Sequence, residues 1–192
     1  MAWVIDPAHS SIEFAVKHMM ISTVKGSFNS YTGTVTLDED RPERSTAEVT
    51  VDLSSIDTQD AKRDAHLRSA DFFNAETHPS MTFRSTRVET VGPERYRLIG
   101  EMDILGTSRE VAFDITDEGK MKDPWGNTKW GFTGQTVINR KEFGLNWNVA
   151  LEAGGVLVGD QVRVALEIQL LQQAEAPAVS AEAEREAAKV SA

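Results

Sequence analysis

The sequence contains no cysteine. This absence excludes disulfide scaffolds, thiol catalysis, and zinc or iron–sulfur sites held by cysteine. Basic residues are also scarce, since 20 lysines and arginines stand against 30 aspartates and glutamates and give a formal net charge of −10. No run of lysine or arginine offsets that charge, and an acidic protein repels a phosphate backbone. We therefore expect no nucleic-acid partner.

Long apolar runs are missing as well. A membrane helix needs about 18 consecutive apolar residues, and a secretory signal needs about 7–15 of them after a basic start. The chain opens on Met-Ala-Trp-Val-Ile, and Asp6 then interrupts the apolar stretch. We expect no integral membrane segment and a cytoplasmic protein, or a periplasmic one if a leader has been removed.

The signature motifs of several enzyme classes do not occur. There is no G-x-G-x-x-G, no phosphate-binding loop and no G-x-S-x-G serine. The four histidines, at positions 9, 18, 66 and 78, lack metal-ligand spacing such as H-x-x-x-H. We therefore predict no metal site and no cofactor. The segment Arg63-Asp64-Ala65-His66 has two interpretations, an ion network on a helix surface or a base (His66) with its orienting carboxylate (Asp64).

Alternation of apolar and polar residues dominates the sequence between Trp3 and Leu171. A period of two is typical of β-strands, and turn-forming clusters such as Asp38–Pro42 and Gly92-Pro93 separate the runs. The pattern predicts eight strands, at residues 10–18, 25–37, 45–53, 80–91, 95–104, 108–117, 128–139 and 160–171. The apolar parity changes within the second strand, which predicts a β-bulge near Asn29–Ser30.

Helical character is strongest in the long connection between strands three and four. There we predict a helix from Asp60 to Ala70, capped by Asp57 or Thr58. The other six connections are short, so neighbouring strands are antiparallel, and closure into a barrel leaves no edge unpaired. We therefore predict an all-β fold over residues 1–172, an eight-stranded antiparallel up-and-down barrel with one short helical insertion. Residues 173–192, rich in alanine and glutamate, are predicted to be a disordered or frayed helical tail.

The apolar faces of the strands point into such a barrel, whose interior is either filled by side chains or holds one small ligand. Gly33, Gly100 and Gly134 lie on the apolar faces, where they either leave room for a ligand or mark bends. The residues we expect to bind a ligand are Phe14, Val16, Phe28, Val49, Val51, Phe72, Phe83, Leu98, Met102, Phe113, Phe132, Ile138, Phe143 and Trp147. Phe72, Phe143 and Trp147 could equally plug the barrel ends as ordinary core.

Ordered motifs over residues 3–171 resemble those of the YceI-like family. They include Trp3-x-Ile5-Asp6-x-x-His9-Ser10, Phe14-x-Val16-x-His18, Arg63-Asp64-x-His66-Leu67, Asp71-Phe72-Phe73, His78-Pro79, Asn139-Arg140-x-x-Phe143-Gly144 and Val158-Gly159-Asp160. The resemblance implies a lipocalin-like barrel that binds a polyisoprenoid or similar amphiphilic chain, often as a homodimer. It assigns no catalytic residue.

Three hypotheses about function follow from these patterns. The leading one is a non-enzymatic carrier or store for a long-chain isoprenoid, such as a quinone, in the apolar lumen. Its head group would lie at a mouth near residues 55–80 or 140–160. The second is a lipid-acting enzyme that uses His66 and Asp64. The third is an interaction protein whose barrel is filled by its own side chains and whose acidic surface binds a partner.

Overall fold

The computed structural model describes residues 2–172. In this part of the chain, the runs of alternating apolar and polar residues form eleven β-strands, and one α-helix is present. The tail predicted at residues 173–192 lies outside the described residues. The elements are β1 (Ala2–Ile5), β2 (Ser11–His18), β3 (Ser22–Phe28), β4 (Tyr31–Thr36), β5 (Thr46–Asp52), β6 (Ile56–Asp57), α1 (Ala61–Arg68), β7 (Ser80–Gly92), β8 (Arg95–Ile104), β9 (Thr107–Lys122), β10 (Thr128–Asn139) and β11 (Val158–Gln172).

The sheet closes on itself. Its neighbours run in the order β1, β4, β5, β7, β8, β9, β10 and β11, and β11 pairs back with β1. All of these pairs are antiparallel, with Trp3 opposite Gln172 at the closure. Closure removes the exposed sheet edges. The predicted eight-stranded antiparallel barrel is confirmed, and its short helix lies between the third and fourth predicted strands.

Eleven strands make an eight-stranded barrel because β1–β2, β3–β4 and β5–β6 are each one interrupted strand. The break between β3 and β4 falls at residues 29–30, where the sequence predicts a bulge. Phe28 and Tyr31 are both buried, although one is even-numbered and the other odd. The change of parity therefore keeps both side chains in the core.

One strand segment was not predicted, and the predicted helix cap is wrong. The predicted strand 10–18 is present as β2, but a short 3-10 turn at Pro7–His9 separates it from β1, which the alternation did not reveal. The cap of α1 is Asp60, whose carboxylate accepts hydrogen bonds from two backbone amides of the first turn. The predicted cap Thr58 is buried instead, and Asp57 accepts a hydrogen bond from the amide of residue 59. Within residues 2–172, no helix has the length and apolar character needed to cross a membrane.

Candidate ligand-binding cavity

An apolar cavity of about 500 Å³ extends along the barrel axis. Sites for small organic ligands measure roughly 300–1,000 Å³, so this volume suits a ligand. Central lining residues such as Val49, Phe132 and Leu166 are only half-buried, because their side chains face the cavity. The hypothesis of a barrel filled by its own side chains predicts no cavity and is wrong on that point.

Twelve of the fourteen predicted ligand-binding residues line this cavity. They are Phe14, Val16, Phe28, Val49, Val51, Phe72, Phe83, Leu98, Met102, Phe113, Phe132 and Ile138. Phe143 does not line it, since its side chain is 1% exposed within a core cluster. Trp147 packs beside the cavity end, with its ring 5.2 Å from that of Phe72. Contact with a ligand stays a prediction for all fourteen.

Other lining residues were not predicted. The apolar ones include Ile12, Val162, Val164, Leu166 and Ile168. These residues share the inward parity of their strands, so the alternation that predicted the strands could also have identified them. Strand parity does not identify the charged lining residues, which are Glu13, Asp38, Glu39, Asp117 and Arg140.

The glycines on the inward faces permit close packing and leave no extra room. A Cβ atom on Gly100 would lie 2.3 Å from the carbonyl oxygen of Arg84, beside an irregularity in the β7–β8 pairing. A Cβ on Gly134 would lie 2.7 Å from the Cδ1 atom of Ile115. The interpretation that these glycines leave room for a ligand therefore does not hold at Gly100, where backbone approaches closely, or at Gly134, which side chains cover.

The end of the barrel nearest α1 is closed by buried side chains. Phe72 and Leu145 line the cavity there and are 8% and 5% exposed. Beside them lies Arg140, whose guanidinium donates hydrogen bonds to four backbone carbonyls, those of Leu145, Trp147, Val158 and Gly159. Burial lowers the pKa of Arg140, and the nearby carboxylate of Asp160 opposes that shift. Arg140 fastens the 140–160 loop over this end, and its fork of donors is engaged by backbone.

The interpretation in which Asp64 orients His66 does not agree with the structure, because each side chain has a different partner. The Asp64 carboxylate accepts hydrogen bonds from the backbone amide and the hydroxyl of Thr58, at 2.9 Å and 2.5 Å. The His66 Nε2 atom instead lies 2.8 Å from a carboxylate oxygen of Asp71. Asp64 therefore holds the segment before α1 in place. Among residues 2–172, no three histidine, aspartate or glutamate side chains cluster closely enough to hold a metal ion.

The opposite end of the barrel opens to solvent between the β4–β5 loop and β9. Asp38, Glu39 and Asp117 line the cavity there, and the Glu39 side chain is 50% exposed. The sequence places the mouth near residues 55–80 or 140–160, whereas these charged lining residues lie at the opposite end. Aromatic and leucine side chains plug the end nearest α1, whereas the connection between β4 and β5 is polar and has few apolar residues to bury.

An ion pair crosses this open mouth. The Lys120 ammonium on β9 lies 2.6 Å from the carboxylate of Glu39, which follows β4. Because β4 and β9 are four strands apart in either direction around the ring, the pair joins opposite sides of the barrel. The same lysine lies 4.8 Å above the ring of Trp130, whose indole N–H donates to Asp117 at 2.6 Å. Three of the charged residues that line the cavity, Asp38, Glu39 and Asp117, thus lie at its mouth.

A buried carboxylate ties the turn at Pro7–His9 to the barrel wall. Burial raises the pKa of Asp6, but hydrogen bonds from His9, the amide of Ala8 and the amide side chain of Gln169 outweigh it. The net effect holds the pKa of Asp6 below its usual value. The ionised carboxylate therefore connects the interrupted first strand to β11.

Comparison with known proteins agrees with this architecture. The model of the YceI-like domain matches residues 3–170. The chain is 41% identical over 137 residues to a UPF0312 protein of Pectobacterium carotovorum subsp. carotovorum, covering 71% of each. The structure of a Campylobacter jejuni YCEI protein matches with a TM-score of 0.70 at 28% identity, covering 82% of this chain and 90% of that one.

A polyisoprenoid-binding domain from Saccharophagus degradans has the same fold. It matches with a TM-score of 0.66 and covers 89% of this chain and 98% of that chain. Sequence identity is 13%, so this likeness concerns the fold alone. The family match over nearly all described residues and the relative at 41% identity establish the relationship. The chain belongs to the YceI-like family.

Proposed function

We propose that the protein binds a polyisoprenoid or similar long-chain amphiphile, such as an isoprenoid quinone, in the barrel cavity and carries or stores it without catalysis. The observation that carries this proposal is a cavity of about 500 Å³ with apolar walls and polar groups at its open end. An amphiphile has the same division, with an apolar tail for the lumen and a polar head for the mouth. The polyisoprenoid-binding domain of the same fold supports this ligand class.

Burial of the tail supplies enough free energy for tight binding. Each buried methylene group contributes about 0.8 kcal/mol, so ten tail carbons contribute roughly 8 kcal/mol before the cost of association. No charged partner is needed along the tail. The carboxylates at the mouth, Asp38, Glu39 and Asp117, disfavour an anionic head group and accept hydrogen bonds from a hydroxyl or amine.

Mass spectrometry of solvent-extracted protein tests this proposal. The protein is purified without detergent, washed and extracted, and a second sample is first incubated with geranylgeraniol or a ubiquinone. We expect a long-chain amphiphile at about one molecule per chain in at least one of the two extracts. Two extracts without stoichiometric lipid would refute the proposal. Heat-unfolded protein carried through the same steps controls for nonspecific adsorption.

Two further properties stay predictions from the sequence, namely a cytoplasmic location and a homodimer. Cell fractionation with an antibody to the native protein tests the first, and the signal should remain with the cytosol. Light scattering during gel filtration tests the second. The monomer has a mass of 21.2 kDa, so a dimer would appear at twice that value.

A further inference from the structure

The β9–β10 hairpin projects beyond the mouth of the barrel. Past Thr116, β9 pairs with β10 alone, because β8 begins at Arg95 opposite that residue. Two large apolar side chains lie on this projection, Met121 at 72% and Trp125 at 83% exposure. Single exposed apolar residues are common, but a nearly fully exposed tryptophan beside a cavity mouth indicates an interaction surface. We call residues 120–129 the hairpin tip.

The turn at the hairpin tip is rigidly built. One carboxylate oxygen of Asp123 accepts hydrogen bonds from the amides of Trp125 and Asn127, both at 2.9 Å, and the other accepts from the Asn127 side chain. Gly126 supplies the positive φ of 90° that the turn requires. These bonds order the backbone of the turn that carries Trp125.

The surroundings of Trp125 suit the boundary between lipid headgroups and hydrocarbon. Tryptophan prefers that boundary, because its ring is apolar and its N–H is polar. Lysine side chains can extend along apolar surface while their ammonium groups contact phosphate. Lys120, Lys122 and Lys129 flank the apolar pair, but Lys120 pairs with Glu39, and Lys129 lies 3.7 Å from Asp6 and 4.0 Å from Asp123. The exposed Lys122 is therefore the lysine of the tip that can contact a lipid phosphate while those ion pairs stay formed.

We propose that the hairpin tip docks on the surface of a lipid bilayer and turns the open mouth toward it, so that an amphiphile passes between membrane and cavity. This inference rests on the proposed function. The hairpin tip adjoins the mouth directly, because Lys120 of the tip pairs with Glu39 on the opposite side of the mouth. The tail would therefore leave the bilayer beside Trp125 and enter the lumen past Trp130, without crossing open water.

A second exposed apolar group provides a matched control. Met19, Met20 and Ile21 form the turn between β2 and β3, and Ile21 is 83% exposed, as is Trp125. This turn lies at the opposite end of the barrel, near the 140–160 loop, where the backbone amide of Met19 bonds to Leu157. Buried side chains close that end, so docking there would give a lipid no entrance to the cavity.

Vesicle binding tests the proposal directly. Unmodified protein, Trp125→Ser and Ile21→Ser are mixed with vesicles of phosphatidylcholine, which carries no net charge, and then sedimented. Trp125→Ser removes the indole that would be buried in the bilayer, so vesicle binding should weaken about tenfold. Ile21→Ser should bind vesicles as the unmodified protein does. Trp125→Phe should restore most of the binding. Equal thermal midpoints show that all variants fold.

Three results would overturn the docking surface. They are unchanged vesicle binding by Trp125→Ser, a loss confined to Ile21→Ser, and no vesicle binding by the unmodified protein. Loading with geranylgeraniol from dilute ethanol distinguishes this failure from that of the proposed function, because it needs no membrane. We expect Trp125→Ser to load normally from solution and several-fold more slowly from vesicles. Failure of the unmodified protein to load from solution would refute lipid binding itself. Vesicle binding tests the docking surface alone.

Discussion

Val49 and Thr50 allow the interior and exterior of the barrel to be compared with a single change. They are adjacent β-branched residues on β5, and their side chains are on opposite faces of the strand. Val49 lines the cavity, opposite Gly33 on β4 and Phe83 on β7, whereas Thr50 is exposed. Val49→Asp places a carboxylate in the lumen, and Thr50→Asp places the same group in solvent.

The expected loss of lipid affinity in Val49→Asp follows from the hydration of the new carboxylate. In the ligand-free barrel, water can enter the cavity and solvate it, so folding is affected moderately. A bound apolar tail removes that water, and the effective cost is several kcal/mol for an ion without a partner. A cost of about 3 kcal/mol corresponds to a roughly hundredfold loss of affinity for Val49→Asp. Thr50→Asp should bind as the unmodified protein does.

The pH dependence of Val49→Asp provides an internal check. Desolvation by the tail raises the pKa of the introduced carboxyl above the ordinary value of about 3.9. Its neutral form is then favoured in the lipid-bound state, so affinity should recover as the pH falls through that raised value.

Equilibrium gel filtration with tritiated geranylgeraniol measures the affinities, and circular dichroism confirms folding. Val49→Thr keeps the shape without the charge and should lose far less affinity. If folded Val49→Asp and Thr50→Asp bind equally well, the tail does not lie in the lumen and the reasoning is refuted.

Three other predictions concern the mouth, the closed end and the first strand. Lys120→Met removes the ion pair with Glu39, so bound lipid should exchange faster in a stopped-flow transfer assay, while the melting temperature changes little because exposed pairs contribute about 0–1 kcal/mol. Arg140→Lys loses the planar fork that bonds the backbone carbonyls, and urea unfolding should show a loss of about 2 kcal/mol. Asp6→Asn should cost about 1–2 kcal/mol at neutral pH. Because the folded pKa of Asp6 is depressed, that difference is fully present above pH 3.8 and should vanish as the pH falls through the folded value.

Each of these predictions has an outcome that contradicts it. Arg97→Met is the control for Lys120→Met, because it breaks an exposed ion pair with Asp114 on the outer wall. If bound lipid exchanges equally slowly in the two variants, the ion pair at the mouth does not control exchange. Unchanged stability of Arg140→Lys would show that the carbonyls do not require the fork. A stability difference for Asp6→Asn that persists at pH 2 would show that ionisation of Asp6 is not its source.

The parts of the fold that were predicted depend on local periodicity. A period of two in apolar residues is a property of neighbouring positions, so the eight strands and the bulge before Tyr31 can be identified from the chain itself. The cavity lining follows from the same parity, which explains the agreement at positions such as Val49 and Phe132. Phe143 deviates because it lies in a 3-10 turn after β10, where strand parity no longer applies.

The parts that were not predicted depend on closure of the barrel. Glu39 and Lys120 are 81 positions apart and meet only because the ring brings β9 opposite the β4–β5 loop. The position of the open end depends on this contact between Glu39 and Lys120 and on the buried side chains that close the other end. Asp64 and His66 are also close in sequence, but two residues that are two positions apart on a helix point in different directions. Each of the two side chains therefore found another partner, Asp71 and Thr58 respectively.

The most direct test of lipid binding in the lumen is a crystal structure of the protein loaded with geranylgeraniol. We predict continuous electron density for the tail along the barrel axis, in contact with Val49, Phe132 and Leu166. The hydroxyl should lie at the mouth, near Glu39 and Asp117. Density for the lipid on the outer wall only, or a lumen closed by rearranged side chains in a loaded crystal, would contradict the account.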